Sequence, residues 1–171
     1  MLDYKHGVYL DTIEPEHLDQ LRAWRNNKSI YRWCRQTGLI TRDDHLYWYK
    51  NIANNGKNRM YAIKSDSGKL VGVCGFTDID HICRRAEFSL YIGPENQRCG
   101  YAERGLRTLF RHGFDDLNLN IIWGETFEDN GALRLFKKIG MKVEGVRRSF
   151  YFKEGSHINA VLISIKRDEL V

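Results

Sequence analysis

The stretch "EFSLYIGPENQRCGYAERGL", residues 87 to 106, constrains the fold of this chain most. It opens as an extended apolar run, turns through glycine, proline and polar residues, and enters a helix after Gly100. In that helix Leu106, Leu109, Phe110 and Phe114 fall on one face. A strand that passes directly into an amphipathic helix must bury that face against the sheet holding the strand. An α/β domain follows.

The rest of the chain repeats the theme. "GVYLDTI" alternates as a first strand. Glu14-Pro15-Glu16 opens a helix with Leu18, Leu21 and Trp24 on one face, and "RNNKS" stops it. Thr41-Arg42-Asp43-Asp44 has the form of a capping box and predicts a helix through Ile52. "NNGKN" reads as a loop. "RMYAIKS", "KLVGVCGFTDI" and "RAEFSLYIG" read as three strands separated by turns. The helix at about Tyr101 to Phe114 comes next, then a buried strand, "NIIWGETF". A helix from Asp129 to Ile139 is closed by Gly140, and "MKVEGVRRSFYFK" with "HINAVLISIK" predicts a final antiparallel pair. The expectation is one domain over residues 1–171: a mixed, mostly antiparallel sheet of about seven strands flanked by about four helices.

At 171 residues the chain is long enough for one sizeable core. No apolar run approaches the roughly 20 residues that cross a bilayer, so no membrane role is expected. "MLDYKHG" carries no apolar signal core, which points away from secretion and toward the cytoplasm. Cys34, Cys74, Cys83 and Cys99 show no CxxC spacing, so neither a disulfide framework nor a metal site is expected. The net charge of +5 suits an anionic ligand or a solvated basic surface. "RRSFYFK" interleaves basic and aromatic residues, as a base-stacking patch or a half-exposed strand would; the strand propensities favour the strand.

Gln97 to Ala102 have a specific physical reading. The first turn of a helix leaves N–H groups unpaired at its electropositive end, and a pyrophosphate fits there when no side chain intervenes. Gly100 and the small Ala102 keep that space open. A glycine before a helix is also an ordinary turn, and the surrounding strand–loop–helix context is what favours the anion site.

With these residues in view, the chain resembles the GNAT superfamily of acetyl-CoA-dependent N-acetyltransferases. Gln97-Arg98-Cys99-Gly100-Tyr101-Ala102 matches that family's Q/R-x-x-G-x-G/A loop, and "DNGALRLFKKIGM" resembles its second signature helix. "HICRRAEFSLYIGPE" and "VEGVRRSFYFKEGSHINAVLISI" are similar to the RimJ/RimL-like branch, which includes spermidine acetyltransferases. "LRAWRNNKSI" resembles acetyltransferases of nucleotide-linked amino sugars. The resemblance implies that backbone amides from Arg98 to Glu103, with Cys99, Gly100 and Ala102 at the centre, hold the CoA pyrophosphate. It also implies a splayed strand in which Leu90, Tyr91 and Ile92 pair with the pantetheine arm, and a Tyr91 or Ile92 N–H that receives the developing oxyanion. Glu87, in the fourth predicted strand, stands where relatives keep a base for the incoming amine; its alternative is a simple ion pair with Arg84 or Arg85.

Two departures from the family pattern matter. Phe136 stands where relatives have a proton-donating tyrosine, which leaves Tyr151, Tyr101 or an unaided thiolate. Asp129 aligns with the family asparagine and occupies a natural N-cap position, while Asn130 is one residue on; either would contact CoA. The acceptor site is expected among the first two helices and the last strands, with Trp24, Arg25, Asn26, His45 and Tyr151 as candidates. The leading expectation is transfer of an acetyl group to a primary amine of a small or nucleotide-linked substrate. The alternatives are a protein N-terminus, the amine of an aminoacyl-tRNA, or a CoA-binding module without catalysis. Relatives suggest a homodimer through sheet edges or terminal strands.

Overall fold

The computed structural model describes residues 1–3 and 7–170, so part of "MLDYKHG" lies outside the described residues. The strands are β1 (Val8–Asp11), β2 (Asn54–Asn55), β3 (Asn58–Ser65), β4 (Leu70–Asp80), β5 (Arg85–Ile92), β6 (Ile121–Phe127), β7 (Lys142–Lys153) and β8 (Ser156–Lys166). They form one sheet in the order β1-β3-β4-β5-β6-β8-β7, with the two-residue β2 paired to β3. Every pairing is antiparallel except β5 with β6. That exception has a topological cause: a parallel neighbour needs a crossover, and the helix α4 (Tyr101–Asp115) supplies it.

Two cores lie on the two faces of the sheet. On one face α4 buries Leu106, Leu109, Phe110 and Phe114 against Ile63, Cys74, Phe76 and Phe88. The other face is covered by α1 (Leu18–Asn26) and the one-turn α2 (Lys28–Tyr31). There Leu21, Trp24 and Ile30 meet Met60, Ala62, Val73 and Tyr91. The strict alternation of β3 divides its side chains between them: Met60 and Ala62 to the α1 face, Tyr61 and Ile63 to the α4 face. On β5 the same period sends Phe88, Leu90 and Ile92 toward α4 and Tyr91 toward α1. Glu87, four residues before Tyr91, therefore shares the α1 face.

The helix α3 (Arg42–Asn51) begins at the expected capping box: Thr41 Oγ1 accepts from the Asp44 N–H, and Asp44 accepts from the Thr41 N–H. The first helix is subtler than expected. Pro15–His17 form a 3₁₀ turn before α1. Asn27 adopts extended geometry, and its side chain accepts from the Ser29 N–H, which restarts the chain as α2. Asn27 is thus both the stop of α1 and the cap of α2. The last helix, α5 (Ala132–Lys138), starts three residues later than expected.

Candidate active site

The site begins where the sheet divides. β5 and β6 pair only at Arg85–Ile121, Ala86–Ile122 and Glu87–Trp123. Beyond that point β5 stays with β4 and β6 stays with β8, so Phe88 to Ile92 have no strand neighbour on the β6 side. The Phe88 ring occupies the fork, edge-on to Phe110 and Phe136 at centroid distances of 5.5 and 5.2 Å. It fits because residue 124 is glycine: a Cβ there would lie 2.3 Å from Phe88 Cε1.

A groove of about 600 Å³ runs from the fork along Leu90, Tyr91 and Ile92 to Gln97, Arg98 and Ala102, with Ala132, Leu135 and Phe136 of α5 as its opposite wall. At its far end Arg98 and Gly100 both have positive φ, 62° and 77°. Gly100 tolerates this without strain, and a side chain there would meet nothing closer than the Arg104 guanidinium at 3.9 Å. Among the described residues, no acceptor is hydrogen-bonded to the backbone N–H groups of residues 98 to 103. A run of open donors at the N-terminus of a 15-residue helix fits a pyrophosphate, and a free strand edge beside the groove fits an extended amide-bearing arm.

The groove continues into a second cavity of about 260 Å³, sharing Trp33, Cys34, Leu90, Asn130 and Phe136 with it. Two carboxylates line it, Glu87 and Glu125. The Glu87 side chain is only 10% exposed and is ion-paired to Arg35 at 2.8 Å. Burial works against the Arg35 charge, but Glu87 and a hydrogen bond donated to the Tyr151 oxygen outweigh it and raise the guanidinium pKa. The Tyr151 hydroxyl donates to Glu125, whose second oxygen accepts from Arg147 at 2.9 Å. Burial, then Glu125, pushes the Tyr151 pKa above its ordinary value, so the hydroxyl keeps its proton at neutral pH. Glu87, Arg35, Tyr151, Glu125 and Arg147 thus form one alternating chain of charges and hydroxyl across the fork.

The structure sorts the sequence candidates. Leu90, Tyr91, Ile92, Gln97, Arg98 and Ala102 line the groove, and Asn130 and Phe136 line both cavities. Cys99 is exposed on the loop. The Glu103 carboxylate is held by Arg107 and Lys138, which leaves its backbone N–H as its contribution to the loop. Tyr101 lies under Arg104, 4.7 Å from ring centroid to guanidinium, and lines neither cavity. Asp129 does not cap α5: the cap bond comes from Asn130 Oδ1, which accepts from the Ala132 N–H at 3.0 Å. Asp129 instead lines an adjoining cavity with Glu128, Glu154 and Trp33.

On the acceptor side, Arg25 lines the second cavity, where Gln36 Oε1 accepts from it and the Tyr91 ring lies 5.5 Å below. Trp24 is core, 4% exposed. Asn26 is scaffolding: its amide donates to the Ile40 carbonyl and accepts from the Ile40 N–H, fixing the loop after α2. His45 lies elsewhere, in a cavity between α1 and α3. The expected partners of Glu87 were Arg84 or Arg85; Arg84 is bonded to Asn118 and Arg85 to Asp80. The true partner, Arg35, comes from a loop that carries no sequence signal. Glu125 carried one: a lone carboxylate inside the buried run "NIIWGETF". Lys153 has a structural role that its sequence position does not signal. Its ammonium donates to the carbonyls of Tyr31, Cys34 and Gln36 and pins the same loop to β7.

Comparison with known proteins agrees with this geometry. The Acetyltransferase (GNAT) domain family matches residues 8–142. Spermidine N(1)-acetyltransferase of Escherichia coli (strain K12) is 29% identical over 161 residues, 94% of this chain and 86% of that protein. An uncharacterized N-acetyltransferase of Bacillus licheniformis, p20, is 28% identical over 171 residues, 97% of this chain and 96% of its own. In fold, the crystal structure of spermidine N-acetyltransferase from Vibrio cholerae in complex with CoA and spermine matches with a TM-score of 0.90. It is 22% identical in sequence, covering 95% of this chain and 97% of that one. The divided sheet, the open amide loop and the family match agree, and the chain belongs to the GNAT acetyltransferase family.

Proposed function

We propose that this acetyltransferase acts on an aliphatic di- or polyamine, with Glu87 taking the proton from the attacking amine. The chain transfers an acetyl group from acetyl-CoA to a primary amine of a small substrate. Bound acetyl-CoA supplies an acetyl group already activated as a thioester. The amides of residues 98 to 103 hold its pyrophosphate, and the free edge of Leu90, Tyr91 and Ile92 aligns its arm toward the fork. An alkyl ammonium must lose a proton before it attacks, and the buried Glu87 carboxylate accepts it. Phe136 has no proton to give, whereas Tyr151 holds one at its hydroxyl.

The observation that carries the reading is Glu87, a buried carboxylate on the floor of the fork and in line with the groove. Support for a polyamine acceptor, and for the spermidine-acetylating branch, comes from the spermidine acetyltransferase relatives. The cations of the acceptor side are already committed: Lys153 to three carbonyls, Arg35 to Glu87, Arg25 to Gln36. The cleft therefore offers an anionic acceptor few unengaged cations. In the adjoining cavity Glu128, Asp129 and Glu154, with Trp33 and Phe127, outnumber Arg32 and the carbonyl-bound Lys153, a setting for a second ammonium on an alkyl chain.

The test is thiol release from acetyl-CoA across a panel of spermidine, spermine, simple diamines, amino acids and amino-sugar nucleotides. Turnover of the polyamines with the highest kcat/KM supports the proposal. Preference for an anionic amine by about tenfold or more would replace the acceptor assignment, and no turnover with any amine would remove the activity itself.

A further inference from the structure

His45 lines no part of the acetyl-transfer cleft, yet its surroundings are unusual. A cavity of about 220 Å³ opens between the start of α1 and the start of α3, lined by Arg22, Arg42, His45 and Asp19 among others. Arg22, His45 and Arg42 bring hydrogen-bond donors to it that the surrounding protein leaves largely unused. Arg22 Nε is buried without a hydrogen-bond partner. The His45 imidazole is 5% exposed, stacks on Trp48 at 5.1 Å, and makes no hydrogen bond among the described residues. Arg42, the exposed first residue of α3, has no ion pair among the described residues.

The carboxylates nearby do not balance this group. Asp19 is the one carboxylate among the lining residues, is 73% exposed, and stands 3.9 Å from Arg22. Asp44, on the same helix as His45, folds back onto Thr41. Burial, then the charges of Arg25 and Arg22, holds the His45 pKa below its ordinary value, with Asp19 opposing them. A buried donor without an acceptor is unfavourable, and the Arg22 and Arg42 guanidiniums lining one cavity repel one another unless an anion lies between them.

We infer that this cavity binds a phosphate group, as the free dianion or as a phosphate monoester. A tetrahedral oxyanion presents acceptors in several directions at once, which suits donors arriving from two helices. The guanidinium forks of Arg22 and Arg42 match its oxygens. The site is separate from the acetyl-transfer cleft, although Arg22 lies one helical turn from Arg25, which lines that cleft.

The experiment follows the His45 Cε1–H resonance by NMR while inorganic phosphate, and separately glycerol phosphate, is titrated at constant ionic strength. The expected result is a saturable shift, a rise in the His45 pKa, and binding about tenfold or more weaker in Arg22→Gln and in Arg42→Gln. Arg42 is exposed on the first turn of α3, so its replacement leaves the core intact, and circular dichroism verifies this. Tighter binding of the ester identifies an esterified phosphate; equal binding identifies the free ion. A resonance that does not move, or moves equally with chloride, overturns the proposal. So does unchanged affinity in a folded Arg42→Gln protein.

Discussion

Replacing Glu87 by glutamine isolates the proton-transfer step. The substitution keeps the shape of the side chain, the Phe88–Ile92 edge and the 98–103 loop. Arg35 loses its partner, but it is 54% exposed and solvates in response, which limits the cost in stability. The effect on rate is larger. An alkyl amine titrates near 10.4, so at pH 7 only about one molecule in 2,500 is neutral. Loss of a positioned base costs about 10²- to 10⁴-fold, or about 3–5 kcal/mol of transition-state stabilisation. With no protein base, solvent must supply the neutral amine, and its fraction rises tenfold per pH unit below the amine pKa. Glu87→Gln is therefore expected to lose at least about a hundredfold in kcat/KM at pH 7. It should recover about tenfold per unit between about pH 7 and 9. Acetyl-CoA affinity by calorimetry should match the wild type. A variant within about threefold of wild-type activity at pH 7 would refute the base assignment. So would a loss explained entirely by weaker acetyl-CoA binding.

Three further outcomes follow from the structure. Gly124→Ala places a Cβ 2.3 Å from the Phe88 ring, and overpacking of this kind costs about 1–3 kcal/mol, measured by urea unfolding. Gly100→Val forces a branched side chain to a φ of 77° at the open amides, so acetyl-CoA should bind about tenfold or more weakly in calorimetry, with thermal stability reporting the strain separately. Glu103 and Glu169 have their pKa lowered, by hydrogen bonds from Lys138 and Arg107 and from Lys142 respectively. Carboxylates depressed in the folded state contribute stability above their unfolded pKa of 4.5 and lose it as pH falls through the folded value, so unfolding monitored by circular dichroism should become easier below about pH 4.5.

Much of this arrangement was legible in the residues themselves. The strand–helix order, the Thr41 capping box and the open turn at Gly100 are local features, written in neighbouring side chains, and the structure shows all three. What was not legible is what the tertiary structure brings together. Arg35 reaches Glu87 from a loop 52 residues earlier, a loop held by Asn26 and by Lys153 from β7. His45 looked like a substrate contact because it opens a helix beside the acceptor region; packing against Trp48 turns it into a different cavity. Trp24, on the apolar face with Leu18 and Leu21, was legible as core, whereas the place of Asp129 is a matter of a few ångströms, which a one-dimensional pattern does not encode.

Among the described residues, the three residue pairs that join β5 to β6 are the only strand-to-strand connection between the two halves of the sheet. A sheet of this kind has an interrupted hydrogen-bond ladder, and an extended amide chain lying in the gap would fill the missing rungs. Each catalytic cycle would then stiffen and loosen the fold: rigid with the carrier inside, softer after it departs.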